Sequence, residues 1–272
     1  MKLIDSHCHL DFDDFDEDRE QIIKNCQQSG IQRIVIPATT RSRWQQIIQL
    51  AETFPAVDFA LGLHPYFINQ HRKSDLQDLE QYIVRYKPVA IGETGLDFYL
   101  KDLDQQTQLW FFNAQIDLAG QYHLPLIIHA RKSLDKVLQL LTQKQFSAGG
   151  IMHAFNGSLQ QAEKCIAMGF KLGFGGMLTY AHSRKLRSLA RQLPLTSIVL
   201  ETDAPDMSGE AHRGERNSPE YLSEVLASLS ELRDEDIQVI AEQTSANSLE
   251  ILKPERPDLQ DNKLPVTNPP AG

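Results

Sequence analysis

Apolar residues fall into short runs separated by longer stretches in which they recur every three or four positions. Such a pattern predicts buried strands alternating with amphipathic helices. The runs lie at residues 2–9, 33–37, 58–63, 89–93, 126–129, 150–153, 170–174 and 198–203, eight in all. Between them the helical period covers 17–29, 42–53, 75–86, 104–122, 133–141, 158–168 and a stretch from 184, with two more helices at 219–230 and 234–251. Gly30 and Gly169 stop two of these helices, where a residue of free backbone is wanted. Eight strand–helix repeats with short apolar strands predict a parallel sheet covered by helices, and this number favours a closed α/β barrel of the TIM (β/α)8 type over an open doubly wound sheet. No strand is followed by a glycine-rich nucleotide-binding fingerprint.

The 272-residue length suits one barrel, so residues 1–253 read as a single domain. Residues 254–272 are polar, proline-rich and aperiodic, and are expected to be disordered or draped on the surface. No apolar run is long enough to span a membrane and no signal region precedes the first strand. Three cysteines without a C-x-x-C pattern fit a reducing compartment, so a cytoplasmic protein is expected; the sequence does not set the oligomeric state, and a monomer is favoured. The net charge of −9 argues against a protein that blankets duplex phosphates. Much of the acidity lies in residues 11–18, expected to be a solvated loop feeding a helix N-terminus.

The chemistry gathers at strand ends. In an extended segment His7 and His9 point the same way, with Cys8 turned to the opposite face as packing. His64 follows the third strand, and Glu93, His129, His153 and Asp203 end the fourth, fifth, sixth and eighth. In a parallel barrel all these ends share the face that carries active sites. His64 aside, the four imidazoles and two carboxylates at strand ends, without sulfur, suit Zn, Mn, Fe or Ni, and Mg with waters. They are too many for one open tetrahedral zinc, but suit two divalent ions sharing a bridging carboxylate and a water, which predicts hydrolysis by an activated water.

Asp5-Ser6-His7-Cys8-His9, Gly62-Leu63-His64-Pro65, Gly92-Glu93-Thr94-Gly95-Leu96-Asp97, His129-Ala130-Arg131, His153-Ala154-Phe155 and Glu201-Thr202-Asp203-Ala204-Pro205 resemble, in order and spacing, the TatD family of metal-dependent hydrolases. Residues 157–163 resemble its YjjV-like branch. The resemblance implies an amidohydrolase-type TIM barrel with His7, His9, Glu93, His129, His153 and Asp203 as ligands of two divalent ions (Zn, Mg, Mn or Ni). It implies that Glu93 bridges the ions, that Asp203 also takes a proton from the attacking water, and that His64 lies near the substrate phosphate. Arg131 is a candidate for a phosphate oxygen, with a rim salt bridge as its alternative; Arg216 is a candidate substrate contact. Relatives often carry an acid before Pro219, where this chain has Ser218.

The activity the resemblance implies is a deoxyribonuclease or exonuclease acting on DNA strand ends and cleaving ester bonds. A hydrolase of a small phosphoester, ester or amide is the alternative, because the fold does not choose the substrate. A third reading is a binding protein whose metals merely brace the barrel mouth, which would leave Asp203 and His64 idle.

Overall fold

The computed structural model describes residues 1–253; the expectation for 254–272 lies outside them. Eight parallel strands lie side by side in chain order: β1 (Leu3–Asp5), β2 (Ile31–Pro37), β3 (Val57–Leu61), β4 (Ala90–Asp97), β5 (Leu126–Arg131), β6 (Gly150–Met152), β7 (Phe170–Phe174) and β8 (Ile198–Leu200). Helices α1 (Arg19–Gln28), α2 (Trp44–Thr53), α3 (Ser74–Tyr86), α4 (Gln105–Gln121), α5 (Leu134–Gln143), α6 (Leu159–Ala167) and α7 (Arg184–Gln192) occupy the successive crossovers, and α8 (Leu222–Ser230) and α9 (Ile237–Leu252) follow β8. The fold is a nearly closed (β/α)8 barrel.

The sheet closes just beyond its last pairing. The Ser6 amide donates to the Leu200 carbonyl (3.0 Å) and the Asp203 amide to the His7 carbonyl (2.9 Å), so the segments after β1 and β8 seal the seam. β1 ends at Asp5, earlier than the expected 2–9, but the segment beyond it stays bonded on both sides, the Cys8 amide to the Val35 carbonyl (3.0 Å) and the His9 amide to the Ala204 carbonyl (2.8 Å).

Inside the barrel, Val35, Ala60, Ala90, Ile127, Ile151 and Val199 pack together with Leu252 from the end of α9. They come from six different strands, as side chains on the inner face of a closed sheet must. Their sequence neighbours, such as Ile34 and Ile36 beside Val35, join the larger cluster between strands and helices. The helices present the expected stripes: α5 buries Val137, Leu138, Leu140 and Leu141. α6 starts in a capping box, Ser158 Oγ accepting from the Gln161 amide and Gln161 Oε1 from the Ser158 amide. No helix among the described residues is long and apolar enough to cross a membrane.

Two boundaries differ in ways that matter. β4 runs on past Glu93 to Asp97, and β5 past His129 to Arg131, because Thr94–Asp97 pair in register with Ile128–Arg131 after an irregularity between Ile91 and Thr94. Glu93 therefore sits within a strand, not at its tip. The acidic stretch is only partly solvated: Asp11 and Phe15 are fully buried, while Asp13, Asp14, Asp16 and Glu17 are exposed.

Candidate metal centre

Glu93 is the hub of the barrel mouth. Its Oε2 lies 3.1 Å from His7 Nε2 and 3.3 Å from His9 Nε2. Its Oε1 lies 3.2 Å from His129 Nδ1 and 3.0 Å from His64 Nε2. The two oxygens of one carboxylate thus face two separate sets of imidazoles. Asp203 completes the ring, with Oδ1 3.5 Å from His7 Nε2 and 3.6 Å from His9 Nε2, and Oδ2 3.5 Å from His153 Nε2. The His7 and His153 rings stack at 3.6 Å. Sequence spacing alone brings His7, His9, His64, Glu93, His129, His153 and Asp203 to one place, and the structure unites all of them.

The supports come from residues that spacing did not single out. Asp97 Oδ2 is 3.2 Å from His129 Nε2, and its carbonyl and amide are held by buried Gln108 of α4. Glu201 Oε1 accepts from the Ala154 amide (2.7 Å) and lies 3.1 Å from His153 Nδ1. Gly173 makes room for that carboxylate, since a Cβ there would come within 2.1 Å of Glu201 Oε2. Asp5 accepts from the His7 amide, the Thr202 amide and the Thr202 hydroxyl, tying the first segment to the last. The available signal was parity: Asp97 lies on the same face of β4 as Glu93, and Glu201 shares a face with Asp203 in the strand expected at 198–203, although β8 stops at Leu200.

His64 has a defined hydrogen-bond pattern. Its Nδ1 accepts from the Tyr66 amide (3.0 Å), so in the neutral ring the proton sits on Nε2 and is donated to Glu93. Burial pushes its pKa down to about 4, outweighing the pull of Glu93. Arg131 stands at the rim, 4.0 Å from Asp97 and stacked on Tyr99 with its guanidinium 3.8 Å from the ring centroid. Arg216 is not brought into the cluster: it pairs with Asp18 and lies over Phe15. In the same loop Asn217 donates to the Thr202 and Asp206 carbonyls, while Ser218 receives the Glu220 amide and donates to its carboxylate. Ser218 therefore serves as a turn cap.

Both central carboxylates are ionised at neutral pH. Burial pushes Glu93 up, but His64, His7 and His129 hold it well below the usual carboxylate range. Burial likewise opposes Asp203, yet His153, His7 and His9 bring it to about 2. Against the effect of burial, Glu201 and Asp203 keep His153 well above its ordinary value, and Glu93 and Asp203 raise His9 to about 9. This anionic pair requires positive charge beside it.

A divalent ion fits that requirement. His7–His9–Glu93, His7–His153–Asp203 and His64–Glu93–His129 each offer ligand atoms within 4.8 Å of one another. With metal–ligand bonds of about 2.1 Å, adjacent ligands sit roughly 3.0–3.4 Å apart, close to the 3.1–3.3 Å separations among His7, His9 and Glu93. His7 Nδ1 and His9 Nδ1 are buried without a hydrogen-bond partner, so these rings are held by what lies at Nε2.

The family model described as TatD related DNase matches residues 4–253. The chain belongs to the TatD-related DNase family and is one of its metal-dependent hydrolases. It is 40% identical over 243 residues to the uncharacterized metal-dependent hydrolase YjjV of Escherichia coli K12, covering 89% of this chain and 94% of that one. An uncharacterized metal-dependent hydrolase of Haemophilus influenzae is 35% identical, over 92% of this chain and 99% of its own length. The crystal structure of the E. coli YjjV TatD homolog superposes with a TM-score of 0.89 at 39% identity, covering 92% of this chain and 97% of that one. A mutant organophosphorus hydrolase from Deinococcus radiodurans, 14% identical over 92% of each chain with a TM-score of 0.63, shares the fold.

Proposed function

We propose that this TatD-family protein is a phosphodiesterase acting on DNA strand ends, a deoxyribonuclease or exonuclease, and that it works in the cytoplasm with two divalent ions. The observation that carries the reading is the division of labour between its two central carboxylates. Glu93 has both oxygens engaged by opposing imidazoles and a side chain only 2% exposed, as a bridge requires. Asp203 has a side chain 14% exposed, so it is the carboxylate that water reaches. His7, His9, Glu93, His129, His153 and Asp203 would hold the two ions, with one oxygen of Glu93 toward His7 and His9 and the other toward His129.

Ions held there supply Lewis acidity toward a phosphoryl oxygen and acidify a water. Asp203, ionised and the more exposed of the two carboxylates, would take the proton from an attacking water. His64, with its Nε2–H fixed by the Tyr66 amide, donates a hydrogen bond to Glu93 or to an incoming phosphate oxygen. Arg131, half-exposed at the rim, is better placed than Arg216 to meet that oxygen.

The test is purified protein with its metal content measured, assayed with Mg and with Mn against short single-stranded DNA, a phosphomonoester and a carboxylic ester. Release of mononucleotides that stops on chelation is expected. Turnover of the ester or monoester with intact DNA would replace this reading by a small-molecule hydrolase.

A further inference from the structure

Among the described residues, the exposed tryptophan, tyrosine and phenylalanine rings are Tyr66, Tyr99 and Trp110. Two of them belong to residues whose backbone amides are tied to the candidate metal centre. The Tyr66 amide donates to His64 Nδ1 (3.0 Å), and the Tyr99 amide donates to Asp97 Oδ1 (2.9 Å), whose other oxygen reaches His129. In each case the backbone is fixed by a side chain that touches the Glu93 cluster or its ligand, while the ring is left 53% (Tyr66) or 54% (Tyr99) exposed. The site needs only those amides, which any residue supplies. The rings are therefore available for something outside the fold.

What they offer is specific. The Arg131 guanidinium covers one face of Tyr99 at 3.8 Å from its centroid. Tyr66 leans edge-on against Phe67 (5.0 Å), which in turn meets the His64 ring (6.0 Å). An aromatic plane coupled to a cation, beside the carboxylate and imidazole cluster around Glu93, matches a chain of flat bases linked by phosphates. A neutral sugar could stack on the rings and take hydrogen bonds from the arginine, but would leave its charge unmatched. Paired bases hide their faces in the duplex stack, and the −9 net charge disfavours a broad duplex footprint.

We propose that Tyr66 and Tyr99 are stacking platforms for unpaired nucleobases of a single-stranded nucleic acid, seating the strand so that one of its phosphodiesters enters the cluster around Glu93, with Arg131 beside the backbone. This rests on the phosphodiesterase reading above. Stacking is indifferent to base identity, so the platforms give grip without sequence preference.

The test uses metal-replete protein and a phosphorothioate-linked single-stranded oligonucleotide carrying 2-aminopurine at successive positions, whose fluorescence is quenched on stacking. Tyr66→Leu and Tyr99→Leu should each weaken binding by roughly fivefold or more and abolish quenching at one position, while Tyr66→Phe and Tyr99→Phe should restore both. On a cleavable oligonucleotide KM should rise by the same factor with kcat little changed, because the amides that hold His64 and Asp97 remain. Thermal unfolding checks that the leucine variants are folded. Leucine variants that bind and quench like a wild type that cleaves the strand would overturn the platforms and leave the nuclease reading standing. Wild-type protein that neither binds nor cleaves the oligonucleotide would overturn both.

Discussion

Asp97 Oδ2 lies 3.2 Å from His129 Nε2, and the other nitrogen of the same ring, Nδ1, lies 3.2 Å from Glu93 Oε1. The imidazole is thus held between a buried supporting carboxylate and the hub. Its Nε2–H points at Asp97, which leaves Nδ1 as the basic atom facing the cavity. Asp97→Asn keeps the shape but removes the charge that fixes this tautomer. Metal affinity should fall roughly 10–100-fold, read by competition with a chromogenic chelator, with the melting temperature of the chelator-treated protein nearly unchanged. Unaltered affinity would mean that His129 needs no such orientation.

Asp203→Asn tests the proton acceptor. The amide retains size and hydrogen-bonding reach but is no base, so hydrolysis should drop at least ~100-fold at constant thermal stability. Metal content must be measured in the same sample, and full activity in a metal-replete variant would move the base elsewhere.

Gly173→Ala should strain the pocket of Glu201, since the added carbon would meet that carboxylate at 2.1 Å. Glu201 must move, loosening both His153 and the Ala154 amide that it holds. A loss of about 1–3 kcal/mol in urea unfolding is expected, together with weaker metal retention. Unchanged stability would show that Glu201 can relocate freely.

His212 supplies a pH signature away from the metal centre. Its Nε2 lies 2.9 Å from Glu224 Oε1, its Nδ1 3.3 Å from Glu215 Oε2, and its ring stacks on Tyr221 at 3.6 Å. The hydrogen bond that His212 donates to Glu224 raises its pKa, with Glu215 adding to it against slight burial. Because the folded value exceeds the unfolded one, about 6.5, the stabilisation is fully present below that pH and fades as pH rises through the folded value. The difference in melting temperature between wild type and Glu224→Gln should therefore shrink with rising pH. A constant difference would assign the effect to packing.

The barrel and the convergence of the ligands were legible in the sequence because both follow from local periodicity: apolar runs set the strands, and a parallel barrel brings their ends together. What was not legible depends on pairing between strands. The run of β4 to Asp97 exists because β5 is there to bond it, and the register that sets Asp97 opposite Arg131 is visible in neither segment alone. Asp11 looked like one acid among many; its burial depends on how the loop folds back under Arg43, whose guanidinium takes the Asp11 carbonyl. Arg216 was singled out for its charge and its loop, but Asp18, far away in the chain, already claims it.

The seam between the segments after β1 and β8 bears on how the enzyme is born. A chain made from its N-terminus produces His7 and His9 early, yet the amide that locks His7, that of Asp203, emerges nearly 200 residues later. Until then the early histidines face an open sheet edge with no carboxylate from the far side. A partly synthesised chain thus cannot assemble the complete ligand set, and hydrolytic competence arrives only as the barrel closes.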